Sequence, residues 1–196
     1  MSTSPRRIVT LIITRATLPT GWQEALRSRL DASWQTRIFF LYQGVHQVGD
    51  AIWSEWIGPD GQASFCAQGH ARIKGPNPAA GIQPGGLATL GQMLRASDLL
   101  LSLPVLYWPG HPAASPLKRI AILLNGPDEA ISESLRIGAG LAGCDHRITL
   151  YAPAPTPVPD AARPCHEALE AMGAEWVFGP VDPEQLARNC DGIIHL

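Results

Sequence analysis

Apolar residues in this chain come in continuous runs at Arg7 to Thr14, Thr36 to Tyr42, Asp98 to Leu103, Arg119 to Leu124, Arg147 to Tyr151 and Gly192 to Leu196. Runs of this length, several rich in β-branched residues, mark strands buried on both faces, as in a parallel sheet. Shorter strands are expected at Ala63 to Cys66 and Glu175 to Phe178. Between the runs the apolar spacing becomes helical. Trp22, Leu26 and Leu30 fall on one face of a helix beginning near Gly21, with Thr20 placed to cap it. Other helices are predicted over Gln47 to Ile57, Leu87 to Ala96, Asp128 to Gly143, Ala161 to Met172 and Pro183 to Asn189. Gly58-Pro59-Asp60-Gly61 is a turn, and Gly69 to Gly86, dotted with Gly and Pro, reads as one long loop.

Strand alternating with helix implies parallel sheets joined by right-handed crossovers. The order of elements also repeats. Met93-Leu94-Arg95-Ala96-Ser97-Asp98 leads into an apolar run, as does Gln185-Leu186-Ala187-Arg188-Asn189-Cys190-Asp191. Arg6-Arg7-Ile8-Val9 is echoed by Lys118-Arg119-Ile120-Ala121, and Arg37-Ile38-Phe39-Phe40-Leu41-Tyr42 by Arg147-Ile148-Thr149-Leu150-Tyr151. The chain thus reads as one α/β unit written twice, over residues 1–103 and 118–196. A connector at 104–117 carries Pro104, Pro109, Pro112 and Pro116. The copies differ at one strand end, where the first has Cys66 and the second Phe178-Gly179.

A net charge of −2 over 196 residues offers no bulk attraction to nucleic acid or an anionic membrane. The run from Ile8 to Ile13 is too short to span a bilayer and lacks the form of a signal peptide. A cytoplasmic protein is therefore expected. Cys66, Cys144, Cys165 and Cys190 include no C-x-x-C pair, so neither a structural zinc site nor a thioredoxin-like motif is expected.

Gly138-Ala139-Gly140-Leu141-Ala142-Gly143 matches the dinucleotide fingerprint G-x-G-x-x-G, but at the wrong place. That fingerprint must directly follow a strand, whereas these glycines lie at the back of a helix, where close packing and a helix end explain them. No cofactor and no metal is expected. Gly85-Gly86-Leu87 precedes a helix and could present backbone N–H groups to an anion. Tyr42-Gln43-Gly44-Val45-His46 lies just beyond a strand's carboxyl end, the edge where open α/β sheets bind ligands. Gly44 would allow a sharp turn there, and the segment reads equally as a ligand site or a turn with a solvated histidine. Cys66 also closes a strand, with His70 four residues on. It is either a small buried hydrophobe or a thiolate aided by His70 or His46. Trp53 and Trp56, spaced i, i+3, read as core residues.

These residues carry a family likeness. Phe39-Phe40-Leu41-Tyr42-Gln43-Gly44-Val45-His46 resembles the aromatic turn of the DsrE/DsrF-like family, which includes the TusBCD-type sulfur-relay subunits. Phe65-Cys66 falls where family members carry a sulfur-accepting cysteine. Gly85-Gly86-Leu87-Ala88-Thr89-Leu90-Gly91-Gln92, leading to Ser97-Asp98 and a strand, resembles the family's closing helix and strand. The second half resembles a more divergent copy, with Ala152-Pro153-Ala154-Pro155 in place of the turn and no cysteine.

The resemblance implies tandem flavodoxin-like α/β units, oligomers, and sulfur carried as a cysteine persulfide from a donor protein to an acceptor protein, in sulfur oxidation or tRNA thiolation. Cys66 would be the carrier, and His70 or His46 would steady its thiolate. Tyr42 and Gly44 would shape the turn, the Gly69–Gly86 loop would gate access, and the second unit would be a scaffold. The alternative is a non-catalytic module of the same fold that binds a small ligand or a protein, with Cys66 merely lining its cleft.

Overall fold

The computed structural model describes residues 6–103 and 115–196. The first sheet is built from β1 (Arg7–Ile13), β2 (Trp34–Phe40), β3 (Gln62–Cys66), β4 (Ile82–Gly85) and β5 (Leu99–Leu103). The second contains β6 (Arg119–Leu123), β7 (Arg147–Ala152), β8 (Glu175–Phe178) and β9 (Gly192–His195). All pairings are parallel, in the orders β4-β3-β2-β1-β5 and β8-β7-β6-β9. Helices α1 (Trp22–Arg27), α2 (Ile52–Ile57), α3 (Ala67–Ile73) and α4 (Leu87–Arg95) accompany the first sheet. Helices α5 (Asp128–Ala142), α6 (Arg163–Ala171) and α7 (Pro183–Asn189) accompany the second. The class is α/β, with two parallel sheets flanked by helices. Among the described residues no helix is long and apolar enough to cross a membrane.

Several local expectations are corrected. Residues 69–86 are not one loop, because the rest of α3 and all of β4 occupy half of that stretch. β4 tolerates Pro84 because it is an edge strand, where a missing N–H need not face a partner. The helix expected over Gln47 to Ile57 is a 3-10 turn at Tyr42–Gln47 followed by the shorter α2. Thr20 does not cap α1; Gly21 precedes it at φ 80°, with no side-chain cap. The connector lies outside the described residues except for 115–117.

The two sheets meet edge to edge. Gly192 at the start of β9 lies against Leu100 near the start of β5. Arg15, just past the end of β1, donates to the carbonyl of Leu196, just past the end of β9 (2.8 Å). The edge strands therefore run the same way, and both sheets present their carboxyl ends on one side.

One core spans the junction. It joins Ile12, Phe39 and Leu100 of the first sheet and Leu90 and Met93 of α4 to Ile122, Leu135 and Leu150 of the second half. Gly140 makes this close packing possible, since a Cβ there would come within 2.3 Å of Leu87 on α4. Gly138 similarly faces Ile122 and Leu169. The glycine-rich segment is thus a packing surface, as its position in the helix implies.

The shared strand order lets positions be counted across the sheets. Asp98 brackets Ile8, accepting its N–H (2.7 Å) and donating to its carbonyl (2.8 Å). Asp191 brackets Arg119 in the same way (2.8 and 2.7 Å). From those anchors, Ile8 pairs with Gln35 and Arg119 with Arg147, so Phe40 matches Ala152. Phe40 pairs with Phe65 and Ala152 with Phe178, which sets Cys66 at the position of Gly179. The sequence echoes slip by one residue at β1/β6 and two at β2/β7, yet the counterpart expected for Cys66 is the one the register gives.

Candidate functional site

Four buried residues bring β3 to its carboxyl end at Cys66, which is 2% exposed. Cys66 is extended and stands at the head of α3, where its Sγ accepts the Gly69 N–H at 3.4 Å. The sulfur has a second donor, from the other half of the chain. Nη2 of Arg136, on α5, lies 3.5 Å away.

That guanidinium is held from several sides. Its Nε and Nη2 donate to the two oxygens of Glu133 (2.9 and 2.6 Å), one turn earlier on α5. Its Nη1 donates to Oε1 of Gln68 on α3 (3.3 Å). Glu133 is itself buried, 2% exposed, and also meets Arg72 of α3 at 3.5 Å. A buried carboxylate is costly unless paired and hydrogen-bonded, and here both conditions are met. The Glu133 bonds, outweighing burial, hold Arg136 more firmly protonated than an ordinary arginine.

Tyr42 borders this cluster. Its backbone has φ 52°, uncommon for an aromatic residue, and its ring is buried. Burial raises its phenol pKa, and the nearby Glu129 charge adds to the effect. Gly44 serves differently from the expectation. The left-handed residue is Tyr42, while Gly44 is needed because a Cβ there would lie 2.0 Å from the Ile13 carbonyl oxygen. The turn is thereby pressed against the end of β1.

The structure places neither histidine on the sulfur. His70 Nε2 is 2.9 Å from the Pro76 carbonyl, and its ring packs on Phe65 with centroids 4.7 Å apart. His46 is exposed at the end of the 3-10 turn. The side chain that reaches the sulfur is Arg136. Sequence reasoning missed it because it is 70 residues from Cys66. The available signal was Glu133 and Arg136, a charged i, i+3 pair among the buried Ile131, Leu135 and Ile137.

The remaining cysteines lie elsewhere. Cys190 is buried with Tyr151, and burial pushes its thiol up, away from the reactive form. Cys144 packs against Gly91, and Cys165 is half-buried on α6. The Gly86 N–H, at the head of α4, donates to the Thr89 hydroxyl (3.3 Å). Among the described residues no group of three or more His, Cys, Asp and Glu converges as a metal site would require. A separate groove of about 990 Å³ opens at the opposite ends of the strands, lined by Arg147, Thr149, Tyr151, Glu175 and Cys190.

No family model matches the chain, and no curated protein does. Among solved structures, phenylacrylic acid decarboxylase from Aquifex aeolicus matches at 9% identity and a TM-score of 0.28, over 93% of this chain and 90% of that one. Superposition at that level carries no argument about function.

Proposed function

We propose that this protein is a sulfur carrier built from two flavodoxin-like units of the DsrE/DsrF type, with Cys66 as the carrying residue. The observation that carries the reading is the pair of donors on Cys66 Sγ, the Gly69 N–H and Arg136. Reactive cysteines are found where positive charge and N–H groups meet the sulfur, while structural ones sit among apolar neighbours. The Cys66 thiolate attacks the outer sulfur of a donor persulfide. A new S–S bond forms on Cys66, the donor's S–S bond breaks, and its electron pair leaves on the donor thiolate. The reverse logic delivers the sulfur to an acceptor thiol. Donor and acceptor are proteins of the cytoplasm, and the carrier works as an oligomer. The chemistry calls for no cofactor.

Incubation of the native protein with a sulfane sulfur donor, followed by intact mass and peptide mapping, tests this. The expected result is one added sulfur on Cys66 and none on Cys66→Ser. Loading that survives Cys66→Ser overturns the assignment.

A second reading, a small-ligand-binding module, is favoured by the groove beside Tyr151 and Cys190. It predicts ligand-dependent stabilisation that Cys66→Ser leaves unchanged.

A further inference from the structure

We infer that Arg136, supplied by the second half of the chain, is the positioning residue of the Cys66 site, its guanidinium placed to pair with the sulfur when the sulfur reacts as an anion. This rests on the reading of Cys66 as a nucleophile. The second half is then part of the site rather than a scaffold for it.

The geometry leaves the guanidinium little freedom. An arginine presents its donors in a fixed planar fork. Glu133 takes two of those bonds and Gln68 another, so the Nη2 edge that remains is directed at Sγ. Glu133 is in turn fixed by Arg72, an ion pair between α5 and α3. Around the sulfur, among the described residues, stand Arg136, Arg72, Glu133, Glu129 and Tyr42, with His70 one turn along α3 and engaged by Pro76.

Nothing about a cysteine kept only for packing calls for a clamped cation 3.5 Å from its sulfur. Thiolate and persulfide anion both gain from one, because a charged donor bonds an anion about twice as strongly as a neutral pair does. Among the described residues the arrangement also occurs once. The position matching Cys66 in the second sheet is Gly179, and the helix of the first half that matches α5 in order is α1, which has only six residues. The Arg136 side chain is 23% exposed beside a nearly buried thiol, so a reagent approaching from solvent along this side chain meets its charge.

The test uses two small alkylating reagents of one size, neutral iodoacetamide and anionic iodoacetate, with modification of Cys66 followed by peptide mapping. In Arg136→Met, iodoacetamide modification of Cys66 is expected to slow by about tenfold, and iodoacetate modification by more. Arg136→Lys restores a substantial part of both rates. Arg136→Gln keeps hydrogen bonding to Glu133 without the charge and carries the test if Arg136→Met does not fold.

Faster alkylation in the charge-removing variants would show that Arg136 merely covers the thiol, and would overturn the inference. So would equal slowing of the two reagents with no recovery in Arg136→Lys. Sulfane sulfur loading separates this inference from the reading beneath it. Normal alkylation behaviour without loading removes the sulfur-carrier reading and leaves Arg136 its role. Equal loading in the wild type and Arg136→Met does the reverse. A Cys66 that neither reagent modifies in the native protein overturns both.

Discussion

His146 and Gly91 lie 55 residues apart, and a 3.1 Å hydrogen bond from the imidazole Nε2 to the Gly91 carbonyl joins them across the two halves. The other ring nitrogen, Nδ1, accepts the backbone N–H of Lys118 at 3.1 Å. Nδ1 must therefore be bare and Nε2 must carry the hydrogen, which fixes a neutral tautomer. The ring couples α4 to the strands of the second sheet, so its charge state bears on how the halves hold together.

Protonating His146 would sacrifice the Lys118 bond. Burial, with the charges of Arg95 and Lys118 adding to it, holds the imidazole below its ordinary value of 6.5 despite the Gly91 bond. The unfolded chain therefore takes up the proton first as pH falls. The stabilisation is complete above the unfolded value and is lost as pH falls through the folded one. Melting temperature is expected to drop from about pH 7 to pH 5 more steeply in the wild type than in His146→Gln. The variant starts lower, by about 2 kcal/mol for the disturbed buried bonds. Thermal melts across that range check both parts.

Asp191 gives the same sign at a lower pH. Burial alone would raise its carboxyl, but bonds from the Arg119 backbone and side chain outweigh it and hold the group below 3.8. Its contribution is present above that value and disappears as pH falls through the folded one. Asp191→Asn is expected to cost about 1–2 kcal/mol near neutrality, a modest figure because Arg119 is 43% exposed and screened. The variant should also flatten the acid limb of stability, as read by urea denaturation.

Glycine substitutions rank by what a methyl group would meet. Gly44→Ala puts a Cβ 2.0 Å from the Ile13 carbonyl oxygen, which is backbone and cannot swing away. A loss of about 3 kcal/mol or more is expected. Gly140→Ala meets the Leu87 side chain, part of which can turn, and should cost about 1–3 kcal/mol. Gly86→Ala meets nothing within 4 Å and should be close to neutral. Urea midpoints of the three variants check the order.

Trp53 is fully buried, stacked on Trp22 (5.1 Å) and edge-on to Phe40 (5.2 Å). Trp53→Ala is expected to cost about 3–5 kcal/mol. Trp56 also stacks on Trp22 but is only half-buried, so Trp56→Ala should cost clearly less. Calorimetric melting of both variants provides the comparison.

The element order was largely legible because buried strands such as Arg119–Leu123 and amphipathic helices such as α5 have distinct periods. α3 and β4 were not legible. They are seven and four residues long, and their stretch contains Gly75, Pro76, Pro78, Gly81 and Pro84. An edge strand with a proline has the composition of a loop, and only pairing with β3 makes it a strand. The strand order common to the two sheets was legible in outline, but the register between them was not. Apolar strands resemble one another at several offsets, whereas the bonds of Asp98 and Asp191 permit one.

At the candidate site the sequence by itself determined the strand end. A buried strand closing on Cys66, and a turn in which Gly44 lies near Tyr42, follow from local pattern. It could not determine what meets the sulfur. His70 is near in sequence and His46 follows the neighbouring strand β2, yet the start of α3 at Cys66 turns the first toward Pro76, and the second is left in solvent. Arg136 reaches the sulfur because Gly140 lets α5 pack against α4 and because β5 and β9 lie edge to edge. Local pattern records which side chains share a face of one element. Which elements become neighbours is decided by burying those faces together, so the partner of Cys66 came into being only when the two halves packed.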